Sequence, residues 1–198
     1  VFHKLKLLFQ QSVNAIKEQK RRLKQLAAQK AALQRAGVNS GPSASNDTVS
    51  LASSQAHMVE VMKMMRRMCM GQYGALQDAL RHQPLSQASI NLFDQAVQYI
   101  QALEPELKDC ITDGDFDVVE GATRGFLMLA DAMRGPNHDN QLNISQSGIF
   151  DLCDRLFARI RIDHVEKETK DKEWEQKKNV ERSKLKCAIT ECLAAVLE

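Results

Sequence analysis

The sequence predicts an all-α protein, a stacked, armadillo-like helical bundle preceded by a long basic N-terminal helix, and three observations carry that expectation. Apolar residues recur at steps of three and four along almost every segment. No segment alternates apolar and polar residues as a half-buried strand does. Glycine, proline and Asn/Asp/Ser clusters fall between the periodic stretches and divide the chain into helices of about 15–25 residues joined by short turns.

Residues 1–36 form the first element. Phe2, Leu5, Phe9, Ile16, Leu23, Leu26 and Leu33 follow the helical repeat, and no Pro or Gly intervenes. Such a helix would be about 54 Å long. Ser12, Gln19 and Lys30 fill the remaining seam positions, so a long helix is expected but not a strict coiled coil. Gly37 is a natural stop, and the run from Asn39 to Asp47 is polar and rich in Gly, Ser and Pro, with nothing to bury. The division that follows is a basic amphipathic helix over 1–37, a flexible linker over 38–55 and a helical domain over 56–198.

The pattern turns helical again from about Ser53 to Arg81, with a methionine-rich patch at Met58, Met62, Met64, Met65, Met68 and Met70. Methionine at this spacing ordinarily fills a core; a partner groove that includes Met62 and Met65 is the alternative. Gly71 and Gly74 are expected to kink or split this helix. After the His82-Gln83-Pro84 turn, Ser89–Asp109 carries a stripe of Ile90, Phe93, Val97, Ile100, Leu103 and Leu107, with Pro105 expected as a late kink or stop. Next come a helix over Phe116–Met133, burying Val119, Ala122, Phe126, Leu129 and Met133, a corner at Gly135-Pro136-Asn137, and a helix near Ser145–Arg161. Residues 163–183 are charged apart from Trp174 and read as a solvated helix face or loop. An apolar helix from Leu185 closes the chain. Both ends read as boundaries within a longer protein, since the chain opens on Val1 and the last helical pattern runs to Glu198.

Composition narrows the function classes. A chain of 198 residues buries roughly 70% of its unfolded surface, so the domain needs no metal or disulfide for stability. The 5 cysteines are an odd number without C-x-x-C spacing, which argues against zinc ligation and a disulfide framework. Cys153, Cys187 and Cys192 sit among apolar residues and are expected to be buried. No apolar run reaches the length of a membrane span. The net charge of +2 hides an asymmetry, because nine Lys/Arg and one Glu fall within residues 1–37 and the remainder is net acidic.

Three constellations invite a chemical reading. Asp113-Gly-Asp115-Phe-Asp117 resembles the start of a calcium loop, but Val118 stands where the loop needs Gly and Arg124 where it needs its closing Glu. Acidic residues favouring a helix N-terminus explain the run better. His138-Asp139 has no nucleophile near it, and Asn137, Asp139 and Asn140 suit caps for the next helix. No phosphate-binding Gly loop, G-x-S-x-G or H-E-x-x-H is present, so no enzymatic activity and no cofactor are expected. Lys20, Arg21, Arg22 and Lys24 form a basic cluster without interleaved aromatics, which speaks against nucleic acid. Docking on an acidic partner surface is the preferred reading for it, with contact of residues 1–37 with an anionic surface as the alternative.

Three stretches together point to a family. They are Met64–Cys69 followed by Tyr73-Gly-Ala-Leu-Gln-Asp-Ala-Leu-Arg81; Ile90-Asn-Leu-Phe93 through Tyr99-Ile100; and Phe126–Met133 followed by Gly135-Pro136-Asn137-His138-Asp139-Asn140-Gln141, with Ser147–Leu152 beyond. Over Met64–Glu198 the chain resembles the RIH-associated region of inositol trisphosphate and ryanodine receptors, where a Gly-Pro-Cys-x-x-Asn-Gln corner follows a helix of this pattern. Asn137 stands where the family has Cys, so no role for that Cys carries over. The resemblance implies a cytosolic regulatory or structural module of a tetrameric calcium-release channel at the endoplasmic or sarcoplasmic reticulum. Its partners would be other domains of the channel and neighbouring subunits. A helical scaffold or adaptor that recruits a protein partner is the alternative. The corner residues Gly135, Pro136, Asn137, Asp139, Asn140 and Gln141 are the candidate structural site.

Overall fold

The computed structural model describes residues 1–35, 47–84, 88–160 and 172–197, and eight helices make up that part of the chain. They are α1 (Phe2–Arg35), α2 (Asp47–Cys69), α3 (Gly74–Arg81), α4 (Leu92–Asp113), α5 (Phe116–Met133), α6 (His138–Gln146), α7 (Ile149–Arg159) and α8 (Lys172–Ala194). The described residues are all-α, as the periodicity predicts.

The centre of the bundle is α5, which is apolar on nearly every side and packs against α2, α4 and α8. A helix that is hydrophobic all round has to lie inside the fold. Val119, Ala122, Phe126, Leu129 and Met133 are fully buried, as their spacing predicts. On the α4 side, Gly121 and Gly125 let the helices come close. A β-carbon at Gly121 would stand 2.5 Å from the Tyr99 hydroxyl, and one at Gly125 would stand 2.9 Å from the Ile100 side chain. Ile90, Phe93, Val97, Ile100, Leu103 and Leu107 fill the core from the chain entering and forming α4.

The long N-terminal helix holds to the body by its first half. Leu5, Phe9, Ser12 and Ile16 are buried against α2 and α4, with Phe9 edge-on to Tyr99. Beyond Ile16 the one predicted seam leucine whose side chain is described, Leu26, is exposed. Among the described residues no helix is long and apolar enough to cross a membrane.

Several expectations need correction. The linker over 38–55 falls partly outside the described residues, and from Asp47 the chain is already helical. Pro105 lies inside α4 and does not stop it. Its side chain is exposed, so water can satisfy the carbonyl one turn earlier that proline leaves without a donor. The helix placed near Ser145–Arg161 is two helices, α6 starting directly at the corner and α7 following a left-handed Gly148. Cys187 is exposed rather than buried, whereas Cys153 and Cys192 belong to the core. The glycines at 71 and 74 do split the Met-rich segment, into α2 and α3. Of the run 163–183, residues 163–171 lie outside the described residues and the remainder belongs to α8. Trp174, near the start of α8, tilts against Phe116 at 5.6 Å between ring centres, with Lys177 over both rings.

Gly125→Val is expected to destabilise the chain by about 1–3 kcal/mol, because the added carbons meet Ile100 in a filled core. Denaturant unfolding of the variant checks this, and an unchanged midpoint would show that the α4–α5 contact is looser than described.

Candidate functional site

The corner between α5 and α6 is built from local chemistry. Arg134 caps α5, and Gly135 then adopts a left-handed φ of 89°, a conformation that costs other residues steric strain. Pro136 prevents helical continuation. Asn137 caps α6, its side-chain oxygen accepting from the Asn140 amide at 3.1 Å. Asp139 lies in the first turn of α6, where its charge suits the helix dipole. Asn140 and Gln141 reach back instead of capping. Asn140 donates to the Ala132 carbonyl at 3.2 Å, and Gln141 donates to the Met133 carbonyl at 3.0 Å, so the open carbonyls at the end of α5 are taken up by α6.

A second corner meets the first. Gly71 and Gln72 are both left-handed, and they end α2. The Gln72 side chain lies beneath Gly135, where a β-carbon would stand 2.9 Å from it. Behind this contact Gln77, a polar residue on the buried face of α3, holds the two corners together. Its amide donates to the carbonyls of Asp131 (3.2 Å), Arg134 (3.4 Å) and Cys69 (3.5 Å), and its oxygen accepts from Asn137 at 3.2 Å. Asn137 also donates to Asp78 at 3.0 Å. Arg81 completes the α3 side, donating to Asn140 at 2.8 Å and pairing with Asp139 at 3.2 Å.

Charge closes the network on its other side. Asp131 is buried and pairs with Arg66 of α2 and with Arg134, both at 2.6 Å. Arg134 also reaches Glu191 of α8 at 3.2 Å. A buried carboxylate is tolerable only when its oxygens are satisfied, and both are. The same surroundings affect two titratable groups. The Asn137 hydrogen bond, with Arg81 alongside, holds Asp78 below the ordinary carboxylate range. Burial, with Asp131 adding to it, pushes the Cys69 thiol up to about 12.

All six corner residues read from sequence therefore gather in one place. Gln77, Arg66, Arg81 and Asp131 complete the site and were not singled out by spacing; a polar residue on a buried helix face is the only local signal for Gln77. The proposed partner surface fares differently. Met62 and Met65 are fully buried where α2 faces α1 and α5, so they fill the core and offer no groove. Lys20 is half-buried and lies 3.7 Å from Glu106, Arg21 and Arg22 flank Glu18, and Lys24 is exposed. Among the described residues no group of three or more His, Cys, Asp or Glu is arranged to hold a metal ion.

Fold and site together define an all-α module whose central helices are tied through two interlocked corners. The chain belongs to the family described as RyR and IP3R Homology associated, whose model matches residues 52–157, more than half of its length. The match contains both corners and stops short of α8. Comparison with curated proteins and with solved structures returned no match. The family links this chain to the inositol trisphosphate and ryanodine receptor channels.

Asn137→Ala is expected to cost about 1 kcal/mol through the lost cap. It is also expected to raise the Asp78 pKa, because the hydrogen bond that lowers it most is lost while burial still opposes the Arg81 contribution. Since the folded pKa of Asp78 is lowered, its contribution is present above the unfolded value and is lost as pH falls through the folded one. The stability gap between the parent chain and the variant should therefore narrow below about pH 4. Denaturant unfolding across pH, with carboxylate titration by NMR, measures both effects. Gly135→Val is expected to lose about 1–2 kcal/mol to left-handed strain; an unchanged melting temperature would show that this φ is not enforced.

Proposed function

We propose that this chain is a cytosolic regulatory and structural module of a tetrameric calcium-release channel of the endoplasmic or sarcoplasmic reticulum, and that it relays ligand-driven conformational change toward the pore. The observation that carries the reading is the family match across the two interlocked corners. In this reading the module works mechanically and catalyses nothing. The corner from Gly135 to Gln141 fixes the angle between α5 and α6, and the Gln77 hub makes α2 and α3 follow any rotation of that pair. Its partners are other domains of the same polypeptide and neighbouring subunits.

A rigid body suits a relay, because a displacement at one end is transmitted only if packed elements do not deform in between. The paired Asp131 and the capped corner supply that stiffness. A second reading, an adaptor that recruits a protein partner, draws on one observation: Arg21, Arg22 and Lys24 lie exposed on α1, beyond the core residue Ile16.

Sequencing the parent transcript beyond residue 198 tests the choice. A cluster of about six membrane spans with a Gly-rich pore loop is expected. A transcript that ends early, or continues without spans, would contradict the channel reading and leave the adaptor.

A further inference from the structure

A cavity of about 360 Å³ opens between α1, α2 and the C-terminal end of α4. Glu106, Asp109, Asp113 and Asp115 stand around it, and Gln55 of α2 lines it from within the core. Gln55 is only 1% exposed. Its side-chain oxygen accepts from the buried Tyr99 hydroxyl, but its amide nitrogen is buried and finds no acceptor among the described residues. A buried donor without a partner is unusual in a folded protein and calls for an acceptor.

The carboxylates present the complementary demand. Lys20 approaches Glu106 at 3.7 Å, while Asp109, Asp113 and Asp115 make no ion pair among the described residues. Asp109 and Asp113 lie at the end of α4, whose last turn carries no basic residue, so the negative end of the helix dipole adds to their charge. Burial and the neighbouring Asp117 push Asp115 above the ordinary carboxylate range. The carboxylates do not converge as metal ligands do. The cavity therefore asks for an extended cation that also carries a hydrogen-bond acceptor.

We propose that this cavity binds a cationic side chain presented together with a carbonyl oxygen, the chemistry of an arginine residue in a peptide. The guanidinium pairs with Asp109 and Asp113, whose two-oxygen geometry matches its fork of donors. The carbonyl oxygen accepts from the Gln55 amide. At 360 Å³ the space is at the small end of ligand pockets, which run from roughly 300 to 1,000 Å³, and suits one residue rather than a folded partner.

The test is a titration of the full 198-residue chain with N-acetyl-arginine amide, following the Gln55 side-chain amide by NMR. N-acetyl-citrulline amide, a neutral isostere, and calcium chloride serve as the other two arms. A saturable shift with the arginine compound, little with the citrulline compound and none with calcium is expected. Asp109→Asn and Asp113→Asn alter exposed positions, so they leave the fold intact. Each is expected to weaken binding roughly two- to fivefold. A Gln55 amide that never moves, an equal response to the citrulline compound, or a response to calcium alone would overturn the proposal.

Discussion

Burial of α5 is the constraint on which the other elements depend. With apolar residues around its circumference, this helix is stable only when α2, α4 and α8 cover it together. Gly121 and Gly125 set how closely α4 can approach, and through Tyr99 that approach also fixes α1, whose Phe9 packs on the same ring. The one carboxylate that α5 buries, Asp131, ties it by charge to α2 and, through Arg134, to α8. Apolar coverage and this polar tie act on the same helix, so displacing α5 would disturb every helix packed on it.

The interlocked corners extend that rigidity beyond α5. A helix of eight residues such as α3 is too short to be stable by itself. It is held because Gln77 takes up carbonyls from the ends of α2 and α5 while Arg81 engages α6. Asn137 brings a cap for α6 and two donors that face Gln77 and Asp78. The hydrogen bonds therefore run from α2 through both corners to α6. For a module proposed to relay motion, continuity of this kind matters more than any single contact.

The fold was largely legible in the sequence because helix burial follows a repeat that residue types report directly. The buried faces of α4 and α5 came from spacing, and the position of the Gly-Pro-Asn corner came from residues with strong backbone preferences. What spacing could not report was where coverage ends. The apolar seam of α1 continues past Ile16 in sequence, yet Leu26 finds no neighbour to bury it. Likewise Met62 and Met65 look the same whether a helix is covered by its own chain or left for a partner, and here α1 and α5 cover them. The polar half of the site was the least legible. Gln77 and Asp131 acquire their roles from carbonyls and arginines 54–65 residues away in sequence, contacts that no local pattern encodes.

The central claim is that the two corners behave as one mechanical unit, and native-state hydrogen exchange in low denaturant tests it most directly. If they are joined through Gln77, the amides of Gln77–Arg81 in α3 and those of Gln141–Ile144 in α6 should open with a shared free energy and a shared denaturant dependence. Exchange of α3 through its own low-energy fraying, while α6 stays protected with α5, would contradict the account.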